Sequence, residues 1–279
     1  MGHIVESLQD REVLAAIEGN FAEGIASFGR GFPGASFHQD EELTWFLSGS
    51  VGPNSILLTH FKHDTQAYID YRIQDTLKYF EEKQVTEVIW RIGPTTYPPD
   101  LAGYLEEHGL TYSTTTVCMA LDVTNERIPS SPPHGLNIRE VLSDKELRMK
   151  CALEKVGFGS NNTAAQYYYQ TYARNGFGPD ANWHHYIGWL NNQAVACATM
   201  LFHQGVASIH GVTTILPARH RGIGTALVNY VLCEAEHAGY RIVALSPTNL
   251  SEAIYRRFGF NDFCQLHSYK LSLAPKTHE

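Results

Sequence analysis

Apolar and polar positions follow two different periods along this chain. In the second half, "LNIREVL" (136–142) alternates and predicts a strand, while residues 143–156 and 162–174 carry helical spacing. "WHHYIGWL" and "QAVACATMLF" flank Asn191–Asn192 and predict a hairpin, because Asn tolerates the positive φ of a tight turn. "VASIHGVTT" (206–214) predicts a third strand. From Gly222 the period changes. Ile223, Ala226, Leu227, Tyr230, Val231, Ala235 and Ala238 recur at helical spacing, and Gly239 ends the run. "YRIVAL" (240–245) predicts a strand, "LSEAIYRRF" a short helix stopped by Gly259, and "FCQLHSYKLSL" a closing strand.

"IPSSPPHG" (128–135) interrupts both periods with three prolines, two serines and a glycine, a composition that neither helix nor strand tolerates. This places a linker at 129–135 between a first domain, 1–128, and a second, 136–279. The end of the first half echoes the end of the second. "VTEVIWRIGP" parallels "RIVALSP", "DLAGYLEEHGL" parallels "SEAIYRRFGF", and "YSTTTVCMALDV" parallels the closing strand. The pattern reads as a duplicated mixed α/β unit. The echo breaks at one place: no glycine occurs from Pro53 through Ile92, so the first half has no counterpart of Gly222 and Gly224.

Composition narrows the partners. Apolar residues make up 43% of the 279-residue chain, enough for a sizeable core, and 29 acids against 21 bases give a net charge of −8. Nucleic acid is not the expected partner, because phosphate backbones select basic surfaces. The five cysteines show no C-x-x-C pair and read as reduced thiols. The fourteen histidines include no H-x-x-x-H pair on a helix, and His184 and His185 fall on opposite faces of one strand, so no metal is expected. The sequence carries neither a secretory signal pattern nor an apolar run of membrane-spanning length. A soluble cytoplasmic protein, with a homodimer left open, is the expectation.

"PARHRGIGTALV" (217–228) sets Arg219, His220 and Arg221 where a helix begins. A helix start carries partial positive charge and favours acids, so basic residues there cost about 0.3–1 kcal/mol each unless an anion arrives. The first helical N–H groups lack internal partners and can donate to phosphate oxygens, and glycines let such a ligand approach the backbone. No Gly-Lys-Ser/Thr follows, so this is not a P-loop, and the dinucleotide fingerprint is also absent.

Arg219-x-x-Gly222-x-Gly224, followed by Tyr255-x-x-x-Gly259-Phe260, resembles the signature of the GNAT superfamily of acyl-CoA-dependent N-acyltransferases over about residues 136–272. Three departures stand out. Pro217 lies two residues before the arginine rather than three, His220 replaces a frequent glycine, and Asn249 stands one residue closer to Tyr255 than in many members. The resemblance implies two tandem GNAT-like domains, each a mixed, mostly antiparallel sheet flanked by helices, the first a degenerate and non-catalytic copy. It implies acetyl-CoA as cosubstrate and the primary amine of a small molecule or peptide as acceptor. A non-catalytic acyl-CoA-binding sensor or interaction module is the alternative. It further implies cofactor contacts from Thr213, Thr214 and Ile215, from Arg219, His220 and Arg221, from Gly222, Ile223, Gly224 and Thr225, and from Asn249.

Acyl transfer needs a neutral amine, a polarised carbonyl and a thiolate that can leave. Alkylamines titrate near about 10.4 and a thiol near about 8.5, so a base and a proton donor both help. The resemblance makes Tyr255 the general acid, and Leu105, at the matching place in the first half, cannot serve. His210, His184, His185 or a water chain are the alternatives for the base. Tyr168 and Tyr172, one helical turn apart, either wall the acceptor pocket or pack against the sheet.

Overall fold

The computed structural model describes residues 3–32, 34–49, 53–125 and 132–273. In chain order its elements are α1 (Val13–Arg30), β1 (Ser36–Gln39), β2 (Leu43–Leu47), β3 (Ser55–Thr59), α2 (Gln66–Glu82), β4 (Glu87–Ile92), α3 (Leu101–Glu107) and β5 (Thr111–Asp122). There follow β6 (Leu136–Glu140), α4 (Asp144–Phe158), α5 (Asn162–Asn175), β7 (Trp183–Leu190), β8 (Gln193–His203), β9 (Val206–Thr214), α6 (Ile223–His237), β10 (Ile242–Leu245), α7 (Glu252–Arg257) and β11 (Asn261–Ser272). Among the described residues, no helix is long and apolar enough to cross a membrane.

Two compact units form, one from residues 1–20 and 119–263, the other from 21–118 and 264–279. They do not follow the expected division into 1–128 and 136–279. The physical reason is strand pairing. The end of β5, Met119–Asp122, lies antiparallel to β10, whereas β11 runs antiparallel to β4 from His267↔Ile92 to Ser272↔Glu87. Each half of the chain therefore completes its sheet with a strand end from the other half. Of the expected linker, residues 129–131 lie outside the described residues, and Gly135 turns into β6 at φ 77.

In the unit of residues 21–118 and 264–279, β1–β2–β3 is an antiparallel meander, and β3 pairs parallel with β4 across the α2 crossover. Helices α2 and α3 bury Ile69, Ile73, Phe80, Leu101 and Leu105 around Trp90. Leu105 is thus a core residue. Trp90 Nε1 keeps its hydrogen bond inside that core, donating to Thr59 Oγ1 at 2.9 Å.

In the other unit, β6, β7, β8 and β9 are successive antiparallel neighbours. The β7–β8 turn is built on Asn191 and Asn192 at φ 50 and 66, the left-handed pair that a two-residue hairpin requires. Helices cover both faces. His185 faces α5 through Tyr172, and its neighbour Tyr186 faces α6 through Tyr230, as strand alternation dictates. Strand β9 pairs parallel with β10 across the α6 crossover, the same arrangement as β3–α2–β4. The repeat thus holds at the level of parallel crossovers, and Gly109 and Gly259 end α3 and α7 alike with φ 83 and 95.

Candidate functional site

The site forms where β9 and β10 part. Their pairing runs only through Val243↔Ala207 and Ala244↔Ser208, yet β9 continues to Thr214. Beyond Ser208, β9 keeps its ladder with β8 on one edge and, among the described residues, has no paired strand on the other. The N–H of Ile215 donates to Val195 O at 2.9 Å on the β8 side. Strand alternation therefore turns the N–H of Thr214 to the open edge.

A short 3-10 turn, Leu216–Ala218, carries the chain from this edge to α6. His220 at φ 59 and Gly222 at φ 76 both adopt the left-handed region. Gly222 does so freely; His220, standing where glycine is frequent, does so against its Cβ. No acid occupies the first turn of α6, and no side chain caps it. Its first described internal bond from the cap is Ala226 N–H to Gly222 O at 2.9 Å. The N–H groups of Ile223, Gly224 and Thr225 precede that bond and lack helical acceptors, which makes them donors for an anion.

A cavity of about 710 Å³ opens on these groups. Thr213 and Thr214 wall one side, Gly222, Ile223, Gly224 and Thr225 another, and Ser251, Ile254 and Tyr255 a third. Tyr255 is 7% exposed and packs edge-on against Phe260 at 5.7 Å. Burial pushes its phenol up to about 12, so it enters the cavity protonated and able to donate.

The expected cofactor residues are not all brought together. Arg219 and His220 line the cavity, but the Arg219 guanidinium is engaged: Nε donates to Thr214 O at 2.9 Å and Nη2 to Gly157 O at 3.3 Å. It ties the end of β9 to α4. Arg221 is exposed and outside the lining. The Ile215 donor is spent on the β8 ladder. Asn249 is exposed and outside the lining as well, while Thr248 and Ser251, joined by Thr248 N–H to Ser251 Oγ at 3.0 Å, reach it. Gly157 and Phe158 at the end of α4 complete a wall that sequence spacing does not single out.

The expected bases are poorly disposed. His210 Nε2 lies 2.6 Å from Ser208 Oγ, and burial lowers its pKa to about 4. His184 Nδ1 is 2.7 Å from Glu140 Oε1, on the sheet face opposite His185. His185 is buried, with Nδ1 2.9 Å from Thr199 Oγ1 and its pKa well below the usual histidine range. Tyr172 is buried, its ring facing the Lys150 ammonium at 3.9 Å, and neither it nor Tyr168 lines the cavity. Among the described residues, no group of three or more His, Cys, Asp or Glu is arranged to hold a metal ion.

A sequence model of the acetyltransferase (GNAT) family matches residues 151–260, the span that contains the cavity. Solved structures share the fold across the chain. A GCN5-related N-acetyltransferase from Kribbella flavida is 18% identical, with 94% of this chain and 96% of that one covered and a TM-score of 0.69. A tandem GNAT protein from the clavulanic acid biosynthesis pathway is 13% identical, with 98% of each covered and a TM-score of 0.65. A GCN5-related N-acetyltransferase from Sphaerobacter thermophilus is 17% identical, with 97% and 93% covered and a TM-score of 0.62. No curated protein matches the chain.

Proposed function

We propose that this protein of two tandem GNAT-like domains, with a GNAT-family acetyltransferase match over residues 151–260, transfers an acetyl group from acetyl-CoA to a primary amine of a small molecule or peptide. One observation supports the reading: residues at the bare start of α6, residues at the open edge of β9 and Tyr255 all line one cavity. In this reading the N–H groups of Ile223, Gly224 and Thr225 bind the cofactor's diphosphate. The N–H of Thr214 polarises the acyl carbonyl, where negative charge develops as the amine attacks. Tyr255 gives its hydroxyl proton to the departing thiolate. The first domain has buried Leu105 at the place of Tyr255 and does not catalyse.

None of the five cysteines, all of them among the described residues, is in a disulfide, and three are buried, which fits work in a reducing, cytoplasmic setting. The net charge of −8 suits an acceptor that carries positive charge in solution. Calorimetry with acetyl-CoA, followed by thiol release across amines, polyamines, amino sugars and peptide N-termini, tests the reading. Saturable binding with amine-dependent release supports it. Binding without release by any acceptor favours a non-catalytic sensor, and no binding removes the cofactor assignment.

A further inference from the structure

Under α4 and α5, the sheet face of β7–β9 holds a polar group that the proposed transfer does not yet use. Lys150 and Glu154 stand one turn apart on α4, both buried, with Nζ and Oε1 2.7 Å apart. Tyr172 of α5 closes the pair: its hydroxyl donates to Glu154 Oε1 at 3.3 Å. The Tyr172 ring lies 4.3 Å, centroid to centroid, from His185. Two atoms of this group, Glu154 Oε2 and His185 Nε2, are buried without a hydrogen-bond partner. A core built only for stability fills such a place with apolar side chains, since an orphaned polar atom leaves its desolvation uncompensated.

The location suggests a use. Glu154 presses on β9, where a Cβ on Gly211 would stand 2.3 Å from its Oε1. One turn further along α4 comes Gly157, and two residues further along β9 comes Thr213. These two also touch, and both line the cavity. Helix and strand thus run side by side from the carboxylate to the cavity wall, a distance of about 5–7 Å by their rise per residue. That distance matches one or two water diameters, and the Thr213 hydroxyl lies at its cavity end.

We propose that Glu154 receives the proton that the acceptor amine loses, relayed from the cavity by water and the Thr213 hydroxyl; this rests on the acyl-transfer reading above. The amine lone pair bonds to the carbonyl carbon and the C–S bond breaks. The nitrogen's surplus proton passes to Glu154, and the thiolate takes the Tyr255 proton. Return of the Glu154 proton to the tyrosinate through solvent restores both groups. Burial raises Glu154 above the usual carboxylate range while Lys150 pulls it down, which makes it a stronger base than an exposed carboxylate. The other ionisable groups around the pair are Tyr168 and Tyr172 from α5, Cys151 from α4, Cys197 from β8, His185 from β7 and His210 from β9.

The test compares the full-length wild type with E154Q and K150M, using acetyl-CoA and the amine that gives the fastest thiol release from wild type. E154Q is expected to lose about 100-fold or more in kcat and the acid limb of its pH–rate profile. Its acetyl-CoA Kd stays within about twofold of wild type, because the cofactor's contacts are untouched. K150M strips the cation and moves the acid limb to higher pH; a purely structural pair shifts neither limb. A folded E154Q with wild-type kcat and pH profile overturns the proposal, as does a folded K150M whose acid limb has not moved. If wild type releases no thiol with any amine, the transferase reading itself fails and takes this inference with it.

Discussion

Gly157 and Thr213 share one volume: a Cβ on Gly157 would stand 1.8 Å from Thr213 Oγ1. Gly157 lies within α4, where replacing glycine by alanine ordinarily stabilises by about 1 kcal/mol. Here the clash opposes that gain, and overpacking costs about 1–3 kcal/mol. Gly157→Ala is therefore expected to lower stability in urea and weaken acetyl-CoA binding, since both residues wall the cavity. Adding Thr213→Ala removes the obstructing atoms and restores most of the loss. Additive losses in the double variant would show that the two residues do not contend for this space.

Tyr255→Phe keeps the ring packed on Phe260 and deletes only the hydroxyl. The expected result is a fall in kcat of about 10²–10⁴-fold with little change in acetyl-CoA Kd. In wild type, turnover should also decline in strong base, as the phenol ionises near about 12. Unchanged turnover in the variant removes Tyr255 from the proton path.

His220 adopts φ 59, a conformation that costs a residue bearing a Cβ about 1–2 kcal/mol. Glycine relieves the strain but gives the unfolded chain about 0.4–1 kcal/mol more entropy to lose. The net expectation for His220→Gly is a gain of up to about 1 kcal/mol, read from denaturant midpoints. A clear loss would mean that the imidazole itself holds the loop.

Acid should destabilise the fold before its carboxylates titrate. His210 and His185 are held neutral by burial, His210 with a pKa of about 4. The unfolded chain binds protons at histidine near pH 6.5, so stability present above about 6.5 drains away as pH falls toward 4. His210 accounts for up to about 3 kcal/mol of this. Thermal midpoints should fall across that window in wild type and fall less in His210→Gln.

The elements around the cavity were legible because local signals agreed. The Asn191–Asn192 turn, the apolar stripe from Ile223 to Ala235 and the glycine stops at 239 and 259 each act within a few residues of themselves, and each appears in the fold. The residues of Arg219-x-x-Gly222-x-Gly224 and Tyr255 were legible too, as positions on one loop and one short helix, and they line one cavity. Helix α1 and strands β1–β3, before Thr65, lacked such marks: β1 is mostly exposed, while β2 and β3 are buried almost throughout, so neither alternates cleanly.

By itself, the sequence determined the order of elements in the second half, the left-handed turns and the bare helix start with its basic approach. These depend on backbone sterics and hydrogen bonding between near neighbours. Tertiary structure decided which strand completes which sheet, that Arg219 is tied to the backbone of Thr214 and Gly157, and that Asn249 and Arg221 stay outside the cavity. It also decided that Lys150, Glu154 and Tyr172 meet. Those outcomes depend on partners far apart in sequence, and only packing brings such residues within reach.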